Sequence, residues 1–279
     1  MSDILCTVAA STGGAVLATV LGLGLASPAY ADAADDLLER MRVPEMLEIM
    51  RDEGIDYGID LGNDMFMGGD SPRWQARLEQ IYDTDKMYEI LHQQFAEVIG
   101  TRDMSSVEAF FDSETGQKIV QSELDARAAM IDDAVEQAAR EVVRAAEVDS
   151  GRMAQLERFV AANDLLETNV TGALNASYQF YTGLVEGGGI VMSESDILSD
   201  VWSTEDDTRQ DTREWLYGFL MMAYEPLSDD TLDDYITFSE TDDGRVLNRA
   251  LFAGFNTMYD EISYALGLAA GLQMQSQEL

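Results

Sequence analysis

Apolar residues recur every three or four positions along most of the chain: Leu37, Leu38 and Met41; Met46, Leu47 and Met50; Leu78, Ile81 and Tyr82; Met87, Ile90, Leu91, Phe95 and Val98. This is the period of a helix with one buried stripe, and no stretch shows the period-two alternation, bounded by turn residues, of a half-buried strand. The punctuation agrees. Pro44 sits where a first-turn proline belongs, Ser71-Pro72 reads as an N-cap followed by a first helical residue, and Gly54, Gly100 and Asn163 are placed where helices stop. A glycine-rich stretch runs from Tyr57 to Gly69, Gly187-Gly188-Gly189 marks a break, and the acidic segment 203–211 before Trp215 reads as a loop or a helix start. The pattern predicts an all-α protein, a helical bundle.

Within that pattern one segment is echoed 128 residues later. Val107-Glu108-Ala109-Phe110-Phe111-Asp112-Ser113-Glu114-Thr115-Gly116 aligns without a gap on Tyr235-Ile236-Thr237-Phe238-Ser239-Glu240-Thr241-Asp242-Asp243-Gly244. The register runs on through Ile119 with Leu247, Leu124 with Phe252, Met130 with Met258 and Asp132 with Asp260. A duplicated helical unit accounts for it. In each copy a short helix (105–112; 229–238) ends on an aromatic, and a hydroxyl, Ser113 or Thr241, caps the next helix, whose first turn is acidic as the helix dipole prefers. Gly116 and Gly244 leave room for close packing against that turn, expected from the ring of Phe110 or Phe238. A long amphipathic arm follows, expected over 115–148 and 243–271. Its second copy places Leu247, Leu251, Phe255, Met258, Ile262, Ala265 and Ala269 on one stripe. The expected architecture is therefore two related helical-hairpin repeats, 32–149 and 150–279, with a boundary near Asp149-Ser150-Gly151. Because a two-unit repeat cannot hide its inner faces separately, the halves are expected to pack on each other.

Residues 1–31 read as an address. The apolar run 15–26 is too short to span a bilayer comfortably and is followed by Pro28 and the small-x-small triplet Ala29-Tyr30-Ala31, which places a cleavage site after Ala31. No Lys or Arg precedes the run. The only cysteine, Cys6, lies in this leader, so the mature chain is expected to hold no disulfide, thiol nucleophile or thiolate metal site. A signal peptide implies a periplasmic or secreted protein with no membrane insertion after cleavage. The formal charge is −36, and the lysines are Lys86 and Lys118 alone. A surface that negative repels nucleic acid and anionic headgroups. It fits life in salt, a solvated acidic face, or affinity for cations.

The leader, the Pro44-Glu45-Met46-Leu47 helix start and the hairpin motif of Phe110, Ser113 and Gly116 resemble a bacterial family, domain of unknown function 2059, over about residues 85–145. Leu227-Ser228-Asp229-Asp230, with Phe238, Thr241 and Gly244, looks like a diverged second copy. The resemblance implies an exported helical protein of Gram-negative bacteria, and it implies no activity.

No residue set amounts to a reaction. His92 is the only histidine, so a zinc site would need carboxylates for every other ligand, and any serine triad would have to use it; no Gly-x-Ser-x-Gly elbow is present. Carboxylate pairs such as Asp132 with Asp133 and Asp233 with Asp234 are too abundant in so acidic a chain to single out an acid and a base. Asp132 and Asp260, at matching positions, are expected to bond a helix terminus if they face inward. Asp83-Thr84-Asp85 lacks the glycine and closing glutamate of a calcium loop. Met65 and Met67 offer thioethers suited to copper(I), although methionines at helical spacing are core filler far more often. Catalytic residues are thus unassigned, and neither a cofactor nor a metal is expected. The sequence supports a non-enzymatic binding or envelope-interaction module for a small molecule or an envelope protein. The alternative is a carboxylate-dependent hydrolase of cell-envelope glycan or peptide.

Overall fold

A computed structural model describes residues 28–145 and 151–277. The expected leader lies outside these residues up to position 27, Cys6 with it, as do Asp149 and Ser150 of the expected boundary. Every regular element among the described residues is an α-helix. In chain order these are α1 (Pro28–Arg40), α2 (Val43–Met65), α3 (Pro72–Ile81), α4 (Thr84–Ile99), α5 (Ser105–Phe111), α6 (Glu114–Ala129) and α7 (Asp133–Ala145). After them come α8 (Gly151–Ala162), α9 (Leu165–Glu186), α10 (Glu194–Ser203), α11 (Glu205–Tyr224), α12 (Asp229–Ser239) and α13 (Asp242–Gln277).

Local chemistry sets most of these boundaries. Pro44 lies in the first turn of α2, Ser71 Oγ accepts from the Trp74 amide at the start of α3, and Asp83 accepts from the Lys86 amide at the start of α4. Gly100 ends α4 at φ +56°, a conformation that favours glycine. The acidic segment before Trp215 is a helix start, with Glu205, Asp206 and Asp207 in the first turn of α11. Gly54 departs from expectation, because α2 runs straight through it. Gly54, Gly58 and Gly62 stand one turn apart and form a bare strip on which α3 and the Tyr82 ring lie. A Cβ on Gly54 would come within 2.2 Å of the Tyr82 ring, one on Gly58 within 2.4 Å of Leu78, and one on Gly62 within 2.7 Å of Trp74 Nε1. Trp74 Nε1 donates to the Gly58 carbonyl at 2.8 Å, locking the two helices. The loss of helix propensity at these glycines is offset by that contact.

The two echoed hairpins have the same hydrogen bonds. Gly116 N donates to Ser113 Oγ at 3.0 Å and Gly244 N to Thr241 Oγ1 at 3.0 Å; Ser113 Oγ donates to the Phe110 carbonyl and Thr241 Oγ1 to the Phe238 carbonyl, at 2.5 and 2.7 Å. What crowds the glycines is backbone and not an aromatic ring. A Cβ on Gly116 or Gly244 would sit 2.3 Å from the carbonyl oxygen of Phe110 or Phe238. The two rings instead stack on each other, centroids 4.0 Å apart and planes 7° from parallel.

The long arms differ. The second is one helix, α13, whereas the first breaks between α6 and α7, where Asp132 Oδ1 accepts from the Ala134 amide at 2.9 Å. Asp132 thus bonds a helix terminus from an exposed position. The break turns α7 onto α11, where Arg140 meets Asp211 at 2.6 Å.

Helix α13 is the central pole, packed on α9, α4, α3 and α2. Of its expected stripe Leu247, Met258 and Ile262 are buried and Leu251, Phe255, Ala265 and Ala269 half-buried, while Val246, Ala250, Leu266 and Ala270, off that stripe, are buried too. One apolar core joins Leu37, Leu47, Leu91 and Phe95 to Leu247, Met258 and Leu266. A second joins Ile119 of α6 to Leu156, Leu220, Leu232 and Ile236. No described helix is long and apolar enough to cross a membrane.

Candidate functional site

Two concavities lined by ionisable groups draw on the segment from α6 to α7. The larger is a cleft of about 530 Å³ between α2, α7 and α13. One wall is a face of α2: Glu53, Asp56, Asp60 and Asp64 line it at spacings of three and four, so all of them share that face. The opposite wall carries Asp133 and Glu136 from the first turn of α7, where the helix dipole favours carboxylates. Glu53 is paired with the buried Arg127, whose guanidinium lies 4.9 Å from the centre of the Trp215 ring, and Glu136 is 2.7 Å from Arg140. Asp56, Asp60, Asp64 and Asp133 make no ion pair among the described residues.

Tyrosines complete the cleft. Tyr57 stands on the α2 wall, Tyr259 comes from α13, and Tyr82, only 4% exposed, lies across Gly54. Burial pushes the Tyr82 phenol well above its usual range, with Tyr57, Tyr259 and Glu53 adding to the rise, so the group stays neutral. Its ring is almost wholly enclosed, but its hydroxyl is not among the buried polar groups left without a partner. Met50, Met130 and Ile131 supply apolar surface.

The second concavity is a partly open pocket of about 140 Å³ between the echoed hairpins, walled by Met41, Val43, Phe159, Phe238 and Leu247. Among the described residues Glu123, from α6, is the only carboxylate lining it, and it accepts a hydrogen bond from the Tyr224 hydroxyl at 2.7 Å. Burial raises the Glu123 carboxyl to about 7, against the opposing effect of hydrogen bonds from Tyr224 and Tyr235.

The residues singled out from sequence fall elsewhere. His92 Nε2 lies 3.3 Å from Asp35 Oδ1 on the outer side of α4, its ring stacked near Tyr88, which donates to the same carboxylate at 2.8 Å. Asp83 caps α4, and Asp233 lies 3.7 Å from Arg158. Asp260, partly buried in the middle of α13, is raised to about 6 by desolvation. Met65 packs on the core while Met67 is 83% exposed, so the two share no environment. Among the described residues no three His, Cys, Asp or Glu side chains are placed to hold one metal ion. Only Asp133 of the residues weighed from sequence lines the cleft. The carboxylates of α2 were not singled out, because their spacing does not differ in pattern from a solvated face. Glu123 gave no signal, because its burial depends on helices about a hundred positions away, as its bond to Tyr224 shows.

The fold is that of an all-α protein, and one segment of it matches a family model. Residues 84–145, from α4 to the end of α7, match the family described as "Uncharacterized protein conserved in bacteria (DUF2059)". That segment contributes Glu123, Arg127, Asp133 and Glu136, while the α2 wall and Tyr259 lie outside it. No match is found among curated proteins or among solved structures.

Proposed function

We propose that the protein is an exported, non-enzymatic binding protein of the periplasm or the extracellular space, built from two related helical-hairpin units and recognising a small molecule or an envelope component. The leader pattern in residues 15–31 supports export. One observation carries the binding reading: the cleft between α2 and α7 gathers carboxylates that the protein's own arginines do not pair, beside aromatic and apolar surface. Recognition sites combine apolar walls with a few placed polar groups in this way. The test is native mass spectrometry of protein purified from its own host's periplasm without chelators. A co-purifying mass that is lost on mild denaturation supports the reading, and a bare chain under several growth conditions counts against it.

A second reading is favoured by Glu123, whose carboxyl near 7 has the poise of a general acid in a hydrolase of envelope glycan or peptide. Among the described residues the cavity offers no second carboxylate to activate water or to attack, and hydrolysis of a glycoside by the usual route needs two. Turnover of an envelope substrate that survives repurification and disappears in Glu123→Gln would establish this alternative.

A further inference from the structure

A groove of about 680 Å³ runs between α3 and α13 and shares no lining residue with the α2–α7 cleft. The chain carries 53 acidic residues, yet among the described residues no Asp or Glu lines this groove, whereas Arg73 and Arg77 do. Most of the 17 basic residues are held by a carboxylate of the fold. These two are not. Arg77 donates to Gln80 at 3.3 Å, and Arg73 has no hydrogen bond or ion pair among the described residues. They stand four positions apart on one face of α3, where like charges repel, and Arg73 lies in the first turn, where the helix dipole disfavours a cation. An anion shared by the two guanidinium groups would relieve both effects.

The rest of the groove is aliphatic. Ile81, Leu268 and Leu272 line it, and Leu272 is left 52% exposed. Helices α3 and α13 run antiparallel, because Met67, ahead of α3, exchanges hydrogen bonds with Gln277 at the end of α13, while Tyr82, just after α3, meets Tyr259 in the α2–α7 cleft. Arg73 therefore lies toward the C-terminal end of α13, and Ile81 toward Leu268. A bare inorganic anion would leave this apolar surface in water, and a neutral hydrocarbon would leave the arginines without a counter-charge. An anionic amphiphile satisfies both. The planar guanidinium fork matches a carboxylate, and the formal charge of −36 opposes docking on an anionic membrane, which favours a free single-chain acid over a bilayer lipid.

We propose that the α3–α13 groove binds a free long-chain fatty acid. Its carboxylate accepts hydrogen bonds from Arg73 and Arg77, and its chain lies along Leu272, Leu268 and Ile81.

The test is calorimetric titration of the purified full chain with dodecanoate below its micelle concentration, in roughly 0.15 M sodium chloride to screen the overall negative charge. The result expected is saturable binding of one dodecanoate per chain, with octanoate weaker by roughly tenfold or more for its lost methylenes. Arg73→Gln with Arg77→Gln should weaken dodecanoate binding by roughly tenfold or more. Arg245→Gln with Arg249→Gln, the same charge change at the same spacing on an exposed part of α13, should leave it unaltered. Leu272→Asp, which puts a carboxylate into the groove at an exposed position, should abolish it. Equal losses in the two arginine pairs would overturn the proposal, as would dodecyltrimethylammonium binding as tightly as dodecanoate, since either would mark an unspecific contact. Tighter binding of a helical peptide of Glu, Leu and Ala, or of phosphatidylglycerol vesicles, would overturn it too, by identifying a protein segment or a membrane as the occupant. Absence of dodecanoate binding would sink the groove proposal and leave the reading of the α2–α7 cleft standing, because the two sites share no residue.

Discussion

Glu123 shows what a single buried group does to the protein's response to pH. Its carboxyl is held near 7 in the folded chain against 4.5 as its ordinary value, so between those limits the native state keeps a proton that the unfolded state gives up. Stability is therefore full below about pH 4.5 and declines as the pH rises toward 7, with an upper bound of about 3 kcal/mol from this one residue. Asp260, raised to about 6 from 3.8, acts in the same direction over a lower window. Glu123→Gln keeps the shape and the oxygen that accepts from Tyr224, and lacks the titration. Urea unfolding at several pH values should show wild type losing stability between pH 4.5 and 7 while the variant loses distinctly less. Parallel curves would mean that the slope originates in other groups.

At the scale of elements, glycine decides how closely the helices approach. On α13, a Cβ at Gly267 would lie 2.0 Å from the Phe180 carbonyl and one at Gly271 2.6 Å from the Leu184 carbonyl; from the other side, one at Gly183 would lie 2.2 Å from the Tyr264 carbonyl. The obstacle in each case is backbone, which cannot rotate away, so Gly267→Ala should force α9 and α13 apart and lower stability by about 1–3 kcal/mol. Gly151→Ala, with nothing within 4 Å, should be neutral or slightly stabilising, and chemical denaturation of the pair separates crowding from helix propensity. These contacts also show where the sequence was readable. The hydroxyl caps at Ser113 and Thr241, the proline in the first turn of α2 and the stripe through Leu247, Met258 and Ile262 are local, and all were legible. Gly54 and the break at Asp132 were misread for one reason. A glycine that ends a helix and one that receives a neighbouring ring look alike until the neighbour, here Tyr82, is known. The cleft was hidden in the same way, since an acidic stripe on α2 becomes a wall only when α7 turns to face it.

At the scale of the molecule, the chain must fold against its own charge. Of 53 acidic and 17 basic residues, several arginines tie separate helices together: Arg127 of α6 to Glu53 of α2, Arg140 of α7 to Asp211 of α11, Arg158 of α8 to Glu240 beyond α12, and Arg209 of α11 to Glu167 of α9. Where such pairs are exposed each contributes little, about 0–1 kcal/mol, and they leave a formal charge of −36. That surplus repels itself in the compact state more than in the expanded one. Raising sodium chloride from about 0.01 to about 1 M shortens the screening length from roughly 30 to roughly 3 Å, which weakens the repulsion far more than it weakens the buried Arg127 and Arg140 pairs. The melting temperature should therefore climb with salt, by several degrees for a gain of about 2 kcal/mol. A melting temperature insensitive to sodium chloride would mean that the surface charge is already compensated.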